Sequence, residues 1–129
     1  MGAGRRARGC IESDRGGEVK PRKTDANEAI DFIYKNAKPF AQAKANRIYC
    51  EEFRKSKKAL LMAQSTAEAA NAREQYAYSH NEYLQLLEAL KQAVEVEESL
   101  RWQMVAAQAR VEVWRSEEAS ARAMDRAAA

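Results

Sequence analysis

Three kinds of side chain in this sequence could do chemistry: one histidine, two cysteines and several clusters of charge. An imidazole can move protons near neutral pH. His80, however, sits between Ser79 and a leucine-rich stretch, with no Ser, His and Asp arrangement to assemble around it. It reads as a solvated first-turn residue. Cys50 falls one residue from an apolar stripe and reads as a small buried hydrophobe rather than a reactive thiol. Cys10 lies far from it in a glycine-rich segment, and neither cysteine belongs to a metal-ligand spacing. Glu51 with Glu52, and Glu97 with Glu98, are adjacent pairs that a helix turns to different sides, unlike the Glu-x-x-His of a metal site. No glycine follows Gly17, so the body of the chain has no phosphate-cradling loop. The expectation is a protein that is not an enzyme, with no catalytic residue, no metal ligand and no cofactor.

The densest charge cluster is basic: Lys44, Arg47, Arg54, Lys55, Lys57 and Lys58 fall within a few turns, beside Tyr49 and Phe53. A helix of this kind can run along a phosphate backbone, each contact releasing counterions. The competing reading is a solvated face paired to acidic residues such as Glu88, Glu95 and Glu98. Net charge does not decide between them. The chain carries +3, but residues 1–24 hold seven basic and three acidic residues, a balance of +4. The remaining 15 basic and 16 acidic residues balance at −1, so the basic pI belongs to the N-terminal segment.

The elements that would position these residues are helical. All five glycines precede residue 18, and after residue 40 the strong helix formers Ala, Glu, Gln, Lys, Arg, Leu and Met dominate. Residues 1–24 combine those glycines with scattered charge and almost no bulky apolar residue, which predicts a disordered basic tail. Residues 25–129 read as one all-α domain, an antiparallel helical hairpin or small bundle. Asp25 with Glu28 caps a helix over about 26–37. Pro39 ends or kinks it and opens a second helix over 39–65, whose apolar stripe is Ala41, Ala45, Ile48, Tyr49, Phe53, Leu60 and Ala63. The Ala-rich stretch that follows can form a short helix over 68–77. Ser79 with Glu82 then makes a capping box for a coiled-coil-like helix over about 81–126, roughly 68 Å long at 1.5 Å per residue.

Alternating steps of three and four along that helix give Tyr83, Leu86, Leu90, Ala93, Glu97, Leu100, Met104, Ala107, Val111, Trp114, Glu118 and Ala121. All but the two glutamates are apolar, the signature of a seam kept on one face by supercoiling. Glu97 interrupts it and requires a basic partner, Arg47 or Arg54 in an antiparallel fold. A second helix beginning at Pro39 is too short to reach past about Gln108. The turns about and beyond that point still carry Trp102, Val105, Ala109, Val111, Val113 and Trp114. Those six are the candidate protein interface, for self-association or a protein partner; the alternative is a return contact from the N-terminal segments.

The segments AQAKANRIYCEEFRKSKKALLM (Ala41 to Met62) and LRWQMVAAQARVEVWRSEEASARAMDRA (Leu100 to Ala127) resemble small helical proteins encoded in phage and prophage early regions. The likeness covers roughly residues 25–127. It implies a non-enzymatic accessory protein that binds a protein partner, inhibiting a host nuclease or defence complex or assisting recombination. A DNA-binding accessory protein and a self-assembling structural coiled coil are the alternatives. The longest uninterrupted apolar run, Ala59 to Ala63, is far short of a membrane span, and no secretory signal pattern is present, so the expected setting is the bacterial cytoplasm, with no membrane contact.

Overall fold

The computed structural model describes residues 25–129, so the tail expected over residues 1–24 lies outside the described residues. Three helices follow one another: α1 (Ala26–Gln64), α2 (Ala70–Ser79) and α3 (Asn81–Ala128). Among the described residues there is no strand. α1 and α3 are about 58 Å and about 72 Å long and pack as an antiparallel hairpin, with α2 in the connection.

α1 starts where the sequence places it. The Asp25 carboxylate accepts hydrogen bonds from the backbone N–H groups of Asn27 and Glu28 at 3.0 and 3.2 Å. Pro39 does not end it, which corrects the separate helices expected over 26–37 and 39–65. The ring is exposed, so the donor it withholds is lost on the solvent side. Ile33, Asn36, Phe40 and Ala43, on both sides of it, are buried or half-buried on the inward face. Packing therefore holds the two halves in line and outweighs the local cost of proline. Pro39→Ala is expected to raise stability by about 1 to 3 kcal/mol, read as a higher melting temperature; a loss of stability would show that the ring makes a contact the helix needs.

α3 obeys its seven-residue repeat. Every seam position from Tyr83 to Glu118 is buried or half-buried, and only Ala121 is exposed. α1 presents a matching series of threes and fours, broken only at the exposed Arg54: Ala26, Ala29, Ile33, Asn36, Phe40, Ala43, Arg47, Cys50, Lys57 and Leu61, all buried or half-buried. The stripe expected on this helix is therefore out of phase, since Ala41, Ala45, Ile48, Tyr49, Leu60 and Ala63 are exposed and only Phe53 is half-buried. α3 supplies the bulk of the seam in Leu, Met, Tyr and Trp. Opposite it α1 sets Ile33, Phe40 and Leu61 among small and polar residues.

At the closed end, α2 turns back over the hairpin. Leu61 and Ala77 are fully buried and form a cluster with Tyr83, flanked by Met62 and Leu87. Ser79 does not cap α3, as the sequence suggested; it still belongs to α2, where its hydroxyl donates to the Gln75 carbonyl at 2.7 Å. His80 is the cap, its Nδ1 accepting from the Glu82 N–H at 3.1 Å.

Candidate protein interface

The continuous α1 changes what the C-terminal part of α3 packs against. Asp25, Ala26, Asn27 and Ile30 lie beside Val111, Trp114 and Arg115. Val111 and Trp114 are consequently half-buried seam residues, and the expectation that they face a second molecule is withdrawn. The other four candidates remain exposed: Trp102 at 65%, Val105 at 43% and Val113 at 49%, with Ala109 alongside. Spaced by threes and fours, they form a ridge along the back of α3, away from α1.

The basic cluster is largely consumed by ion pairs. Arg47 points inward and grips two carboxylates: Nε and Nη2 donate to Glu97, and Nη1 donates to both oxygens of Glu51 at 3.0 Å. Glu97, 1% exposed, thus has the basic partner its place in the seam requires. The hydrogen bond from Arg47 holds the Glu97 carboxyl below its ordinary range, and the two carboxylates hold the guanidinium well above its own. Lys57 pairs with Glu82 at 2.9 Å, Lys55 with Glu52 at 3.2 Å and Lys58 with Glu74 at 3.0 Å. Lys58 also sits over the Tyr78 ring, 4.7 Å from its centre. The partners are not the Glu88, Glu95 and Glu98 of the sequence reading. Lys44 and Arg54 are exposed. Arg54, Lys55 and Lys58 line one concavity with Tyr78 and Tyr83, and Lys44, Arg47 and Lys57 are not part of it.

A different surface emerges from the hairpin's two flanks. Ile30 shares one flank with Arg115, whereas Phe32 shares the other with Gln103, Ala106 and Arg110. Steps of seven keep a residue on its flank in a supercoiled pair. From Ile30 they lead through Ala37, Lys44 and Glu51 to Lys58, and from Arg115 through Gln108, Arg101 and Val94 to Leu87. Lys58 touches α2 through Glu74, and Leu87 packs on the cluster containing Ala77, so this is the flank that α2 covers at its closed end.

The opposite flank has no such cover, and charge is confined to its two ends, at Glu28, Lys35 and Arg110 beside Phe32 and at Glu82. Steps of seven from Phe32 give Pro39, Asn46, Phe53 and Leu60, and their outward neighbours are Gln42, Tyr49, Ser56 and Ala63. The corresponding positions of α3 are Ala89, Val96 and Gln103, with Gln85, Gln92, Ser99 and Ala106. No Asp, Glu, Lys or Arg stands at any of these positions, in a chain that is 32% charged. All are exposed except the half-buried Phe53. Tyr49 (65% exposed) stacks on Phe53 with ring centres 5.6 Å apart. Leu60 and Val96 are 55% and 53% exposed. Solvated coiled-coil flanks are ordinarily filled with Glu and Lys. Depletion of charge with aromatic residues in its place is the composition of an interface centre. Sequence reasoning missed this flank because it becomes visible only once α1 is phased correctly.

Among the described residues, no group of three or more His, Cys, Asp or Glu side chains could hold a metal ion, and no helix is long and apolar enough to cross a membrane. No protein-family model matches the chain, and neither a curated protein nor a solved structure matches it.

Proposed function

We propose that this chain is a non-enzymatic accessory protein that acts by binding a protein through a helical surface. The observation that carries the reading is the uncharged flank of the α1–α3 hairpin, where Tyr49, Leu60 and Val96 are exposed beside Phe53. Burying those side chains against another protein removes apolar area from water and strands no charge. The resemblance of Ala41 to Met62 and Leu100 to Ala127 to small helical phage and prophage proteins supplies the setting: the cytoplasm of a bacterial host, with a host nuclease or defence complex, or the recombination machinery, as the process acted on. The DNA-binding alternative has weaker support, since Arg47, Lys55, Lys57 and Lys58 already hold carboxylates.

Association by light scattering, together with capture from host lysate before and after nuclease treatment, tests the proposal. The parent chain is expected to associate with protein in a nuclease-resistant way. A Tyr49→Glu/Val96→Glu variant is expected to bind at least ~30-fold more weakly, the loss of about 2 kcal/mol typical of an anchor residue. Association that disappears with nuclease, or that the variant leaves unchanged, contradicts the proposal.

A further inference from the structure

We infer that the occupant of the uncharged flank is a second copy of this chain, the two hairpins packing flank to flank as a four-helix bundle; this rests on the protein-binding reading above and names its partner. Between Pro39 and Ala63, and between Gln85 and Ala106, none of the flank positions carries a charge, and only Glu95 borders the strip, beside Gln92, Val96 and Ser99. A partner bringing Lys or Glu into its centre would bury them unpaired, at a cost that disfavours binding. The partner must therefore present an uncharged strip of similar length, and the flank itself is such a strip.

The flank also suits its own image. Its polar residues are amides and hydroxyls, Gln42, Asn46, Gln92, Ser56 and Ser99 among them, and each of these groups both donates and accepts, so it can pair with its own kind in either sense. Charged groups cannot do this. A two-fold axis sets one patch on the same patch of the other copy, the commonest closed arrangement of identical chains.

The size agrees as well. The strip on α1 from Pro39 to Ala63 is about 36 Å long, and two helices side by side make it about 20 Å wide. That is on the order of 700 Å² per copy, near the roughly 800 Å² per partner of a stable interface. α2 lies on the other flank and leaves this approach clear.

Two substitutions two residues apart test the inference, because Val96 and Val94 are both exposed and lie on opposite flanks. Sedimentation velocity on the full 129-residue chain should give twice the 14.5 kDa chain mass at micromolar concentration. Val96→Glu should weaken self-association at least ~30-fold with the helical circular dichroism unchanged, and Val94→Glu should assemble like the parent. Because Val96 is half exposed, the variant keeps its fold, and the dichroism signal verifies this. A parent that stays at the chain mass up to about 100 μM overturns the inference, as does equal dissociation by Val94→Glu and Val96→Glu. A monomeric parent that nevertheless captures a host protein in a Val96-dependent way overturns the second copy and leaves the protein-binding reading standing. If Val96→Glu alters neither self-association nor capture, both fall.

Discussion

Leu61→Ala is expected to cost about 3 kcal/mol of folding free energy, within the range for emptying a fully buried leucine site, and to lower the melting temperature by roughly 10 to 20 °C. Among the described residues Leu61 is the largest apolar side chain fully removed from water, and it packs with Ala77 of α2 and Tyr83 of α3, so it ties the connection to both long helices. Truncation leaves a cavity that the neighbouring helix ends cannot close without moving. Leu60, its neighbour in sequence, is 55% exposed on the uncharged flank, and Leu60→Ala should cost less than about 1 kcal/mol. Thermal unfolding followed by circular dichroism separates the two. Equal losses would mean that the phase assigned to α1 is wrong.

The second large effect belongs to the ion cluster in the middle of the seam. Arg47→Leu leaves the Glu97 carboxylate buried with its principal partner gone, and the melting temperature should fall by on the order of 10 °C. Adding Glu97→Leu should recover most of that loss, because the double variant carries no stranded charge, and the two substitutions are then strongly non-additive. Acid offers an independent check. The Glu97 carboxyl is held below its ordinary value of 4.5 by the hydrogen bond from Arg47. Its contribution to stability is complete above pH 4.5 and is lost as pH falls through the lowered native-state value. Melting temperatures of the parent should therefore drop below pH 4.5 more steeply than those of Glu97→Gln. Parallel pH profiles, or additive single and double variants, would show that the pair adds nothing to folding.

The parts of this fold legible in the sequence are those where residue size and polarity agree with position. On α3 the bulky apolar residues lie at the seam, so every position found by counting in threes and fours from Tyr83 to Glu118 is buried or half-buried, and only Leu87 and Glu98 add to that set. Glu97 signals its partner because a carboxylate in such a seam has to be paired, and Arg47 does so. Asp25 likewise announces the start of α1 by its capping chemistry. On α1 the correlation reverses. Tyr49 and Leu60 face outward while Asn36, Arg47 and Lys57 face inward, so weight given to the largest apolar residues selects the wrong side. Pro39 misleads for a related reason: the local cost of the ring is real, but packing on either side of it is a tertiary effect that no local rule contains. His80 escapes notice because its ring nitrogen acts as a cap in place of the Ser79 hydroxyl. The six-residue interface expected on α3 depended on a short second helix, and the longer α1 divides that set into seam residues and an exposed ridge.

Binding through the uncharged flank would be reported by two tyrosines. Tyr34 (83% exposed) lies outward on the α2 flank, beside Ile30 and Ala37, and Tyr49 (65% exposed) lies on the uncharged one. Hydroxyl-radical footprinting of the full chain, across dilution and with host lysate added, compares their reactivity within one molecule. Tyr49 is expected to become several-fold protected on assembly while Tyr34 keeps its reactivity. Tyr49 remaining as reactive as Tyr34 under every condition, or Tyr34 becoming the protected residue, would contradict it.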